Sequence, residues 1–148
     1  MNLLNPVSIT REFTIDAGHR VFNHEGKCRS LHGHRYVFEV TCTAPALDTL
    51  GRVIDFSVIK ELVGEWLEVH WDHATILWEL DPIISAWGPS CFLHGHKLFS
   101  IPANPTIENL CRFLVDVVQH LLKDTEISVV SIKGYETAKC SAEVRVVG

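Results

Sequence analysis

The chain has 148 residues, 47% hydrophobic and 21% charged, which is the size and balance of one ordinary globular domain and excludes a disordered segment. A formal net charge of −5 argues against a general nucleic-acid binder, which would present a basic face. No apolar run approaches membrane-spanning length and the N-terminus has no basic-then-apolar leader pattern, so neither a membrane nor a nucleic acid is expected as partner and the expected location is cytoplasmic.

Residues 8–19 alternate, with Ile9, Phe13, Ile15, Ala17 and His19 in one phase and Thr10, Glu12, Thr14 and Asp16 in the other, which predicts a half-buried strand ending at His19. Residues 20–31 are polar, contain Asn23 and Gly26, and read as a loop carrying Cys28. A second strand starts near His32, with His34, Tyr36, Phe38, Val40 and Cys42 in phase. After a turn-rich stretch from Pro45 to Gly51, Ser57 is the expected N-cap of a helix to about His70, with Val58, Leu62, Trp66 and Val69 as its apolar stripe. Residues 71–105 carry Pro82, Pro102 and Pro105 among Trp71, Trp78 and Trp87 and show no clean period, so 79–103 is expected to be an inserted loop. Thr106 then caps a second helix, in which Ile107, Leu110, Cys111, Leu114, Val118 and Leu121 recur at helical spacing. Two more strands are expected at about 126–136 and 140–147. The order ββααββ predicts an α+β domain over 1–148, an antiparallel sheet with two helices on one face.

The densest chemistry lies in Cys28-Arg29-Ser30-Leu31-His32-Gly33-His34. On a strand His32 and His34 point to the same side, and His19 is on the apolar side of the preceding strand. Histidines on apolar faces need partners for their ring nitrogens, and convergence on one ion supplies them. Three imidazoles suit Zn²⁺ and leave a fourth position open, the arrangement of a catalytic zinc rather than a structural one. The five cysteines are odd in number and form no CxxC pair, so they read as reduced thiols. Cys28 is a fourth ligand, a catalytic thiolate or an ordinary loop cysteine; spacing alone leaves these open.

Three weaker features complete the inventory. Asp72-His73 is a carboxylate–imidazole pair of the kind that tunes a base, although adjacent residues seldom pair directly with each other. Glu136, at the end of a strand, could accept hydrogen bonds from the edge of an amino-heterocycle. Cys91-Phe92-Leu93-His94-Gly95-His96 imitates the main packet with a shorter gap, but no in-phase strand carries it; it is expected to be a loop feature, with a second metal site as the alternative.

Taken together, Ala17-Gly18-His19, the Cys28-x3-His32-Gly33-His34 packet, Asp55-Phe56, Asp72-His73, Pro105-Thr106-x-Glu108-Asn109 and Glu136-Thr137 resemble the 6-pyruvoyl-tetrahydropterin synthase family over nearly the whole chain. The three-residue gap after Cys28 resembles its bacterial 6-carboxytetrahydropterin synthase branch, which serves queuosine biosynthesis. The resemblance implies the tunnelling fold, in which ββααββ subunits join sheets into a trimeric barrel and two trimers stack as a homohexamer. It implies Zn²⁺ on His19, His32 and His34, Cys28 as catalytic base, and Asp72 and His73 as its proton-handling partners across a subunit interface. Glu136 would anchor the pterin, with Thr106 beside it, and Lys27 and Arg29 are candidates for the triphosphate on charge alone. The implied substrate is 7,8-dihydroneopterin triphosphate, and the implied products are 6-carboxy-5,6,7,8-tetrahydropterin, acetaldehyde and triphosphate. Rival readings are a 6-pyruvoyl-tetrahydropterin synthase or related pterin side-chain lyase on the same zinc site, and a non-catalytic zinc-stabilised module with Cys28 as fourth ligand.

Overall fold

The structure, a computed structural model, describes residues 7–93 and 95–147, with the side chains of 88–93 left aside. The two alternating segments form long strands, β1 (Ser8–His19) and β2 (His32–Thr43), paired antiparallel from Ser8↔Thr43 to His19↔His32. Their in-phase apolar residues, Ile15 and Ala17 with Tyr36, Phe38, Val40 and Cys42, are buried on one face. A period of two turned to one side of a sheet is what this pattern requires.

Helix α1 (Phe56–His70) begins two residues earlier than expected: the N-cap is Asp55, whose carboxylate accepts the Ser57 amide at 2.8 Å. It buries Ile59, Val63 and Leu67, not the stripe headed by Val58. Leu62 and Trp66 pack at the flank of the core and Val69 is 57% exposed. Apolar residues cover more than one stripe of this helix, and the sheet selects which of them goes inward. The second long helix is more strictly amphipathic and follows its sequence: Ile107, Leu110, Cys111, Leu114 and Val118 are all buried. Thr106 caps it by accepting the Asn109 amide at 3.2 Å.

Between these two helices the structure departs from the inserted loop expected over 79–103. Residues Thr75–Trp78 form β3, Pro82–Leu93 form α2 and Leu98–Ile101 form β4, so the long amphipathic helix Ile107–Leu121 is α3. Strand β3 pairs parallel to the end of β1 (Gly18↔Thr75, His19↔Ile76), and β4 pairs parallel to β3. This is a strand–helix–strand crossover added to the sheet edge, as parallel neighbours require. Four-residue strands carry too little alternation to be read, and α2 is apolar nearly all round. One signal was present: Asp81-Pro82 is an N-cap followed by proline at the first helical position, and Asp81 does accept the Ile83 amide at 2.9 Å. The unit is rooted in the core. Ile76, Leu77 and Ile101 are buried, Phe99 packs among Trp66, Trp71 and Phe113, and the Arg20 guanidinium grips the buried Asp81 carboxylate with two donors.

Strands β5 (Ser128–Thr137) and β6 (Cys140–Arg145) complete a six-stranded sheet of order β4-β3-β1-β2-β5-β6. The four long strands are antiparallel, as expected from the sequence, and the added pair makes the sheet mixed. Helix α3 lies over β5 and β6 so closely that Gly134 cannot carry a side chain. A Cβ there would stand 2.6 Å from Cys111 Sγ and 2.8 Å from Ile107 Cδ1. Gly134→Ala is therefore expected to destabilise the fold by about 3 kcal/mol through overpacking. Urea unfolding would measure it, and adding Cys111→Ala should return part of the loss.

Candidate metal centre

His19, His32 and His34 come together at one end of the β1–β2 pair, on the face that the core occupies, because the register sets His19 opposite His32 and Ala17 opposite His34. Their ring nitrogens lie within 4.8 Å of one another. His19 is buried and the other two are half-buried. His19 Nδ1 is 2.7 Å from the Pro105 carbonyl oxygen, and His32 Nδ1 is 2.7 Å from that of Ser30. Carbonyls only accept, so both Nδ1 atoms carry the proton and donate it. The two Nε2 lone pairs are then left facing each other at 3.1 Å. A hydrogen bond between them would need an imidazolium, yet burial pushes His19 down to about 4, against a smaller opposing pull from the Pro105 carbonyl. Burial also lowers His34, over the opposing charge of Glu136, and its buried Nε2 has no hydrogen-bond partner. Two opposed lone pairs and an orphaned third nitrogen are satisfied together by a divalent cation, so the donor set fits a metal, and three neutral imidazoles suit zinc.

Cys28 is not part of that cluster. It sits half-buried in a short 3-10 turn, Lys27–Arg29, and its carbonyl accepts the Val21 amide at 2.9 Å, two residues beyond His19. The loop from 20 to 31 is thereby closed at its neck. Asn104, which the sequence reading passed over, clasps it from the other side: its Oδ1 accepts the Phe22 amide at 2.9 Å and its Nδ2 donates to the Phe22 carbonyl at 3.1 Å. Asn109 in turn donates to the Asn104 carbonyl at 3.0 Å, tying the loop, the Pro105 partner of His19 and α3 together. The Asn104-Pro105 stretch thus supports both His19 and the Cys28 loop. Lys27 and Arg29 are exposed on the turn, and Thr106 spends its hydroxyl on the α3 cap.

Glu136 reaches the same cluster from β5, with Oε1 3.4 Å from His19 Nε2 and 3.7 Å from His34 Nε2. The β5–β6 register slips between Tyr135 and Thr137, a bulge centred on Glu136 that re-aims its side chain. Beneath it lies Tyr36, fully buried, its ring edge-to-face against His19 and His34.

Asp72 and His73 do pair directly, contrary to the expectation for neighbours: Asp72 Oδ2 is 2.9 Å from His73 Nδ1. His73 has φ +60, a left-handed conformation that turns its ring back onto the preceding carboxylate, and its amide donates to Asp16 O at 2.6 Å. Burial would raise the Asp72 carboxyl, but the Asp16 amide, His73 and Lys97 outweigh it and hold it below the usual carboxylate range. Lys97 also fixes this corner by donating to the Glu68 and Asp72 carbonyls at 2.7 and 2.6 Å. His73 is 76% exposed and lines a shallow depression with Asp16, Arg35 and His34. Asp72 and His73 are not part of the three-histidine cluster. Of the decoy motif, His96 is exposed and outside the three-histidine cluster, while His94 and the Cys91 side chain lie outside the described residues.

The family profile described as 6-pyruvoyl tetrahydropterin synthase matches residues 8–146. A curated relative from Rickettsia conorii, named 6-carboxy-5,6,7,8-tetrahydropterin synthase, is 39% identical over 139 residues, 93% of this chain and 99% of that protein. One of the same name from Haemophilus influenzae is 31% identical over 132 residues, 87% of this chain and 92% of the relative. Among solved structures, an uncharacterized protein of Wolinella succinogenes superposes with TM-score 0.84 at 21% identity, covering 95% of this chain and 98% of its own. The Caenorhabditis elegans 6-pyruvoyl tetrahydropterin synthase superposes with TM-score 0.70 at 19% identity, covering 99% and 100%. The fold is thus that of the tetrahydropterin synthases, and the chain belongs to the 6-pyruvoyl tetrahydropterin synthase family.

Proposed function

We propose that this protein is a zinc-dependent carbon–carbon lyase that converts 7,8-dihydroneopterin triphosphate, with water, to 6-carboxy-5,6,7,8-tetrahydropterin, acetaldehyde and triphosphate, the step that feeds queuosine biosynthesis. The observation that carries this reading is a three-histidine cluster with an unshared thiol in the adjoining loop, in a chain whose curated relatives are named for that product. A bound Zn²⁺ would polarise the hydroxyl and carbonyl oxygens of the substrate side chain. His19, His32 and His34 hold it. Cys28 removes and returns the carbon-bound proton, a task within the range of a positioned thiolate. Glu136 accepts the hydrogen bonds of the amino-pterin edge, with Thr106 at its side, and Lys27 and Arg29 meet the triphosphate. Asp72 and His73 serve as proton-handling partners of the Cys28 of a neighbouring copy, which makes a homo-oligomer part of the reading; a hexamer of two stacked trimeric barrels provides that neighbour. The location is cytoplasmic; no helix among the described residues is long and apolar enough to cross a membrane.

The absence of Cys28 from the histidine cluster favours catalysis over a closed, zinc-stabilised module. A second reading, production of 6-pyruvoyl-tetrahydropterin on the same site, is favoured by the name of the structural neighbour and differs in product. Incubation of zinc-loaded protein with 7,8-dihydroneopterin triphosphate decides between them. Acetaldehyde in step with triphosphate is the expected result; triphosphate release without acetaldehyde would replace the first reading by the second.

A further inference from the structure

Tyr36 is a buried polar side chain against the three-histidine cluster that the chemistry above does not use. It is fully buried, yet its hydroxyl has no hydrogen-bond partner among the described residues. A buried, unpartnered hydroxyl costs stability, and a phenylalanine of the same shape would avoid that cost. Phe38, the next in-phase residue of β2, stacks on the Tyr36 ring and is itself a plain aromatic. The surroundings single out one acceptor. β2 and β5 pair through Val37↔Tyr135 and Phe38↔Gly134, which places Tyr36 and Glu136 one step further on, across from each other at the bulge. The Tyr36 ring lies 5.7 Å from that of His19 and 5.5 Å from that of His34, the same two imidazoles that the Glu136 carboxylate approaches. The Glu136 carboxylate lies against the two histidines, and the Tyr36 hydroxyl has no partner among the described residues.

We infer that Tyr36 is a positioning residue for Glu136: when the histidine nitrogens are engaged and the carboxylate turns to the pterin edge, the Tyr36 hydroxyl donates to it and sets the depth at which it meets the ligand. The inference rests on the pterin reading of Glu136. It explains why a hydroxyl is kept where the folded chain alone would be better served without one, since stability given up at a site is commonly tied to function.

The test is Tyr36→Phe, assayed beside the unsubstituted protein with 7,8-dihydroneopterin triphosphate. Loss of a hydrogen bond to a charged group should raise KM about ten-fold with kcat little changed. The melting temperature of the ligand-free, metal-loaded protein should stay level or rise, and metal content should be unchanged. A raised KM with an undiminished melting temperature is the signature, because a packing role predicts a lower melting temperature with KM untouched. An unchanged KM, or a fall in kcat alone, overturns the inference. If the unsubstituted protein itself neither binds nor turns over this pterin, the reading of Glu136 fails first, and that outcome is seen in the same assay.

Discussion

Cys28→Ala is expected to keep its metal and lose its turnover. A positioned general base contributes roughly 10²–10⁴-fold to rate, and kcat should fall by about that factor. The thiol stands outside the cluster of ring nitrogens, so its removal takes no donor from the ion. Nor should the fold suffer: the turn is held by the Cys28 carbonyl on the Val21 amide and by the Asn104 clasp on Phe22, none of which involves the side chain. The measurement pairs metal analysis with acetaldehyde formation. Loss of zinc together with loss of cooperative unfolding would instead make Cys28 a structural ligand and sink the catalytic reading.

His34→Ala is expected to do the reverse, removing the metal first and activity as a consequence. Substituting an outer-shell partner of a metal ligand commonly costs 10–100-fold in affinity, so loss of a direct ligand should exceed about 100-fold. Binding also shows in stability. A metal held at a hundred times its dissociation constant stabilises by about 2.7 kcal/mol. For a chain of 148 residues that is a rise of roughly 5–10 °C in melting temperature. Zinc added to stripped wild-type protein should produce this rise, and zinc added to His34→Ala should not. His34→Ala avoids the capping contacts that His19 and His32 make with Pro105 and Ser30, which makes it the cleanest of the three substitutions. A chelator-stripped wild type that melts no lower than the zinc-loaded form would count against the centre.

The three-histidine cluster was legible because the spacing and phase of its residues are local properties. His19, His32 and His34 sit in phase with long apolar runs, and a strand with one buried face has only one register that keeps them there. The same reasoning holds for α3, whose single strict stripe has no competitor. Legibility failed where the local signal was short or double. Strands β3 and β4 span four residues each, α2 has no polar face to mark its period, and α1 has two apolar stripes between which only packing chooses. Asp72 and His73 look like surface neighbours in sequence; a left-handed backbone at His73 makes them a hydrogen-bonded dyad.

By itself the sequence determined the two long hairpins, the two long helices, the three-histidine packet and the thiol beside it, since each is written in periods of two or 3.6 residues and in turn chemistry over a few positions. Tertiary structure decided what no local period encodes. It brought the Pro105 carbonyl 2.7 Å from His19 across 86 positions of chain, seated Asn104 under the Cys28 loop, and closed Asp72 and His73 into a hydrogen-bonded pair. It also set Glu136 and Tyr36 side by side under the imidazoles. Those partners are fixed by how the sheet, its bulge and α3 pack, and a backbone carbonyl or an unpaired hydroxyl leaves no mark in sequence until packing gives it a neighbour.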